Sequence, residues 1–122
     1  MSPSPTIVSF RDPVAAEVSH PDAARLLAGA PRISTWNHYA ADQCFFAGVW
    51  AASRGRWQVR YTEHEFCHLL EGRVAIVAAD GTRYEFGPGD SFVIPAGFDG
   101  TWEVLEDCRK LYAVYQRAGD AG

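Results

Sequence analysis

The sequence has no run of lysine or arginine, no paired-cysteine motif, no long apolar stretch and only one segment with a helical signature. Each lack removes a class of function. The nearest approaches to a basic cluster are Arg54/Arg56 and Arg109-Lys110, and the formal net charge is −4. Binding to nucleic acid through phosphate neutralisation is therefore not expected. The three cysteines, Cys44, Cys67 and Cys108, are odd in number and widely spaced, with no CxxC. That argues against a disulfide framework and against a cysteine-built zinc site. Reduced thiols in a cytoplasmic protein are the expectation. The opening MSPSPTIVSFRDP has no basic stretch followed by an apolar one, so no signal peptide is predicted. The longest apolar run, Cys44–Ala52, is interrupted by Gly48 and is too short to cross a bilayer, so no membrane partner is expected. There is no convincing internal repeat, and low complexity is confined to the first few residues.

What remains suits a β protein. A chain of 122 residues makes one domain with room for a core, here 1–122, with loose ends expected over 1–5 and 117–122. Four Trp, five Tyr and seven Phe are spread among well-dispersed Gly and Pro, as expected of short strands joined by turns. Thr6–Phe10 reads as a short edge strand. Ser19-His20-Pro21 followed by Asp22–Ala28 and Gly29 reads as the one short helix, with a cap, an early proline and a terminating glycine. From residue 32 onward the pattern is β. Strands are expected at Ile33–Tyr39, Cys44–Ala52, Trp57–Thr62, Glu65–Glu71, Arg73–Ala79, Thr82–Phe86, Phe92–Ile94, Thr101–Leu105 and Arg109–Gln116. Turns are expected at Ser53–Arg56, Gly72, Asp80-Gly81 and Glu106–Cys108. Roughly eight to ten short strands at this spacing predict an antiparallel sandwich or barrel.

One stretch is more specific. In Phe86–Trp102, FGPGDSFVIPAGFDGTW, a strand lies between two glycine-controlled turns. The spacing Gly89-x5-Pro95-x-Gly97 resembles the second motif of the cupins, and Glu65-x6-Gly72 resembles the end of their first motif. Ala79-Asp80-Gly81 falls where cupins place the hairpin between motifs. The run Trp57–Tyr115 is similar to a single-domain cupin. Its best likeness is to the branch that includes ethanolamine-utilisation cupins and ureidoglycine-aminohydrolase-like proteins. The finer likeness rests on Gly48-x-Trp50, Gly55-x-Trp57, Cys67-His68, Gly100-x-Trp102 and Lys110-x-Tyr112. The resemblance implies an all-β, cupin-like jelly-roll barrel with an interior pocket, a homodimer, and a setting in nitrogen or carbon catabolism.

The chain departs from the metal-binding pattern of that family. The His-x-His that would precede Glu65 falls within Gln58–Tyr61, where no histidine occurs, and the third histidine position is Gly100. Glu65 alone remains of the four ligands that the resemblance implies. One carboxylate does not hold a transition metal against water, so no metal or other cofactor is expected. A site rebuilt from His38, His64 or His68 would need a strand bulge. On a regular strand His64 and His68 face away from Glu65 and Cys67.

Glu65 is the leading site candidate. It reads either as a general base or ligand anchor inside the barrel, or as a structural carboxylate paired with Arg60 or Lys110. Tyr61 and Lys110 are the candidates to assist it in catalysis. Arg60, Trp57, Cys67 and Trp102 are the candidates to contact substrate, each with a plain structural role as the competing reading. Asp90 is expected to serve its turn, and Gly100 to leave extra room in the pocket. The expected function is binding of a small polar or carboxylated metabolite without a metal, with proton transfer as the reaction class. A non-catalytic binding or interaction module and a metal enzyme with atypical ligands are the alternatives.

Overall fold

The computed structural model describes residues 4–117. Nine strands, all antiparallel, join in one curled sheet. They are β1 (Glu17–Ser19), β2 (Leu26–Gly29), β3 (Ile33–Ala41), β4 (Phe45–Ala52), β5 (Gly55–Arg60), β6 (His64–Ala78), β7 (Arg83–Phe86), β8 (Ser91–Ile94) and β9 (Asp99–Tyr115).

The two longest strands, β6 and β9, form the spine. The first half of β6 pairs with β8 and with the second half of β9, which continues to β4, β3 and β1. The second half of β6 pairs with β7 and with the first half of β9, which continues to β5 and β2. The sheet thus has two limbs that share a bent spine. Between them lie the buried Trp57, Leu69, Val74, Ile76, Trp102 and Val104. At the free ends of the limbs, β7 and β8 do not hydrogen-bond to each other. Instead the rings of Phe86 and Phe92 stack across the seam with centroids 3.9 Å apart.

The bend has a local cause. The β6/β9 register shifts between Leu69 and Val74, which marks a bulge that turns the strands. Gly72 sits there with φ +86°, and a Cβ on it would collide with the Asp107 carbonyl and come within 2.7 Å of the Cys108 Cα. Only glycine combines that conformation with that approach.

Four sequence expectations change. The predicted helix Asp22–Ala28 is absent. The amides of Arg25 and Leu26 bond back to the Asp22 carbonyl in a single turn, after which Leu26 pairs with Trp57 as the start of β2. So short a helix is marginal alone, and the open edge of β5 offers hydrogen bonds and an apolar partner instead. Thr6–Phe10 forms no strand, and β1 takes the β3 edge in its place. Glu106–Cys108 is not a turn, because β9 runs through it opposite Gly72, with an extra residue on β9 between Arg109 and Glu106 taken up as a register shift. Gly72 likewise bends β6 without ending it. The Asp80-Gly81 hairpin is as expected, with the Thr82 amide donating to Asp80 Oδ1 at 2.9 Å. Of the expected loose ends, residues 1–3 and 118–122 lie outside the described residues.

Candidate functional site

Alternation along the spine strands places the interior residues. On β6, Glu65, Cys67 and Leu69 are buried while His64, Phe66 and Leu70 are exposed. On β9, Trp102, Lys110 and Tyr112 are buried. Lys110 sits opposite Leu69, two rows from Glu65. Its long side chain runs past Cys67, with Nζ 3.4 Å from Sγ, and donates to Glu65 Oε2 at 2.8 Å. The ammonium lies 4.5 Å from the Trp50 ring centroid and 4.3 Å from that of Trp102.

Tyr61 completes the cluster from the loop after β5. Its hydroxyl donates to Glu65 Oε1 at 2.7 Å and accepts from Trp102 Nε1 at 2.9 Å. The turn after β8 holds it in place, since the Tyr61 amide donates to the Phe98 carbonyl and the Gly97 amide to the Tyr61 carbonyl. The Pro95–Phe98 segment that carried the family resemblance therefore positions Tyr61. Asp90 serves the preceding turn as expected, accepting from the Gly87 amide at 2.8 Å.

The electrostatics follow from burial. Burial alone would push the Lys110 ammonium down, but the neighbouring Glu65 and Cys67 outweigh it and hold it above the usual lysine value. Burial, aided by Glu65, pushes the Tyr61 phenol well above its usual value. Burial pushes the Cys67 thiol up to about 12, against the pull of Lys110. At neutral pH the site holds a charged lysine, a neutral phenol and a protonated thiol. Cys67 is therefore no nucleophile.

Two cavities meet at this cluster. The smaller, about 190 Å³, is walled by Trp50, Trp57, Tyr61 and Trp102, with Glu65 and Lys110 on one side. The larger, about 390 Å³, is lined by Glu17, Thr35, Asn37, Phe46 and Tyr112 and again by Trp50 and Glu65. On its wall Tyr112 donates to Asn37 Oδ1 at 2.6 Å, over the side-chain-free Gly48 that lies between them in the sheet. Of the residues singled out from sequence, Glu65, Tyr61, Lys110, Cys67, Trp57 and Trp102 come together. Arg60 does not: it is exposed on the β5 face opposite Trp57, and it lines an outer hollow with Arg25 and Asp99.

The histidines also stay outside. His64 Nδ1 accepts from the Ala96 amide, His68 bonds to the Ser91 hydroxyl and His38 stacks on Phe10. The donor set does not fit a transition metal. Among the described residues no three His, Cys, Asp or Glu side chains are grouped to hold one, and the cation beside Glu65 is the ammonium of Lys110. Gly100 does not enlarge the pocket, contrary to expectation. A Cβ there would collide with the Val77 carbonyl, and the Phe98 ring lies 2.9 Å from where it would sit. The Phe98 ring takes up that space.

The sequence reading did not single out Trp50, Asn37 and Tyr112 as site residues. Trp50 was legible: it alternates with Phe46, Gly48 and Ala52 on β4, facing Lys110 across the ladder. Asn37 was not, because the β3 bulge between Asn37 and Tyr39 breaks the simple alternation.

A curled antiparallel sheet with inward polar groups on its spine strands is the architecture of a cupin jelly roll. The family model of the EutQ-like cupin domain matches residues 39–112, and the chain belongs to that family. No curated protein sequence matches it. A protein of unknown function from Pseudomonas syringae pv. tomato is 23% identical, with a TM-score of 0.76 over 88% of this chain and 46% of its own. The EutQ protein of Clostridium difficile is 17% identical, with a TM-score of 0.64 over 72% of this chain and 65% of its own. A domain-of-unknown-function protein from Thermotoga maritima is 34% identical, with a TM-score of 0.51 over 52% of this chain and 73% of its own. The chain thus spans about half the length of the first of these and under two thirds of the second. Among the described residues no helix is long and apolar enough to cross a membrane.

Proposed function

We propose that the chain is a small-molecule-binding cupin that works without a metal, with Glu65 and Lys110 as the polar anchor for a small polar metabolite. The observation that carries this reading is a buried, mutually compensated ion pair that borders two cavities. Binding is favoured over general-base catalysis because both Glu65 oxygens already accept strong donors. Proton transfer would require Glu65 to give up Tyr61 or Lys110, with those two residues then assisting. Three free thiols fit a reducing, cytoplasmic setting.

Thermal-shift measurement over a panel of small polar metabolites tests the reading. At least one compound is expected to raise the Tm of the natural chain and to leave the Glu65→Leu/Lys110→Met double variant unmoved. A panel without a binder, or a binder indifferent to the double substitution, counts against it.

We also infer a homodimer. One row across the outer face of the first limb runs Val93, Phe66, Ala113, Ala47, Tyr39 through cross-strand neighbours. Its large members Val93, Phe66 and Tyr39 are exposed, as an interface requires. Light scattering should give twice the chain mass, and Phe66→Glu should halve it. A monomer at high concentration refutes the dimer.

A further inference from the structure

The larger cavity differs in charge from the smaller one. It is bordered by two carboxylates, the buried Glu65 and the exposed Glu17 of β1, and among the described residues no cationic side chain lines it. Lys110 borders only the smaller cavity. Phe46, Trp50 and Tyr112 supply aromatic wall. The Tyr112 hydroxyl feels this environment. Burial first, and then Glu65, push it up to about 12; Lys110 opposes the rise and Glu17 adds to it.

Within the chain, Trp50 and Glu65 already hold one ammonium. The Lys110 nitrogen sits 4.5 Å from the Trp50 centroid and 2.8 Å from Glu65 Oε2. The same two residues form part of the wall of the larger cavity, which no cation lines among the described residues. Aromatic faces and carboxylates together favour an ammonium group; the charge of Glu65 is paired with Lys110, so a carboxylate ligand there would meet the like charge of Glu17.

We propose that the larger cavity takes a small ammonium-bearing molecule, held between Glu17, Glu65 and the Trp50 ring. This rests on the reading that the barrel interior binds a small molecule, and it narrows that reading from polar metabolites in general to amines. Thr35 and Asn37, on the same wall, are placed to meet the uncharged part of the ligand.

Titrations followed by tryptophan fluorescence and by amide NMR shifts would use 1,4-diaminobutane, 4-amino-1-butanol, 1,4-butanediol, 4-hydroxybutyrate and succinate. The amines should bind about ten-fold or more tightly than their carboxylate counterparts, shifting residues of β3, β4 and β9. Glu17→Gln, on an exposed strand, should weaken the amines several-fold and leave the diol unchanged. Carboxylates or the diol binding as well as the amines would overturn the amine assignment and leave interior binding standing. Amines that ignore Glu17→Gln and shift residues elsewhere would overturn it too. Binding by none of the five would overturn the amine assignment, while the metabolite panel decides interior binding separately.

Discussion

Glu65→Leu and Lys110→Met will each lower the unfolding free energy by about 3–5 kcal/mol, and the double variant will recover most of that loss. The reason is the asymmetry of a buried pair. Lys110 is 2% exposed and Glu65 7%, so removing one partner leaves the other charged and desolvated. Removing both leaves an apolar pair against Trp50, Trp102 and Cys67, a setting that already suits methionine and leucine. Tyr61 adds to the cost of Glu65→Leu, because its hydroxyl loses its acceptor. Urea denaturation of the two single variants and the double variant measures the cycle. Additive losses would mean that the charges do not compensate each other. That would remove the basis for treating Glu65 and Lys110 as one unit.

Restoring a histidine at position 100 will not create a metal centre. Gly100→His should instead destabilise the protein by about 3 kcal/mol or more, at the upper end of what overpacking a core costs. The Cβ meets the backbone carbonyl of Val77, and the Phe98 ring already lies in its path. A side chain can change rotamer to yield space, but a carbonyl fixed in the β6/β9 ladder cannot. The measurement is the urea midpoint of the variant, together with its metal content after exposure to zinc or nickel. A stable variant holding one metal per chain would instead show that the donor set is one residue short of a metal site.

Much of the fold could be read from the sequence because its signals were local. Asp80-Gly81 fixed one hairpin, alternation fixed the inward face of β5 and β6, and the spacing from Glu65 to Pro95 and Gly97 pointed to the jelly roll. The errors arose where distant strands decide. The Asp22–Ala28 segment carries a helix signature, yet the unpaired edge of β5 draws it into the sheet. Glu106–Cys108 looks like a turn, but β9 stays paired with β6 through it, and the extra residues there are taken up as register shifts opposite Gly72.

The candidate site followed the same rule. Glu65, Tyr61 and Lys110 were legible because each falls on an inward position. Position 100 was not, because the absence of a side chain in the sequence does not reveal whether space is left there. Whether glycine opens room depends on what packs against it, here Val77 and Phe98. The outward course of Arg60 was available from the alternation Trp57, Val59, Tyr61, and charge complementarity to Glu65 competed with it.

If Glu65 and Lys110 form a ligand-binding interior that needs no metal, binding is independent of added metal ions. Calorimetric titration of one bound metabolite against chelator-stripped protein, repeated with stoichiometric zinc, iron or manganese added back, tests it most directly. The affinity should be the same in every case, and binding should be lost in the Glu65→Leu/Lys110→Met variant. Binding that appears only when a metal is restored would contradict it.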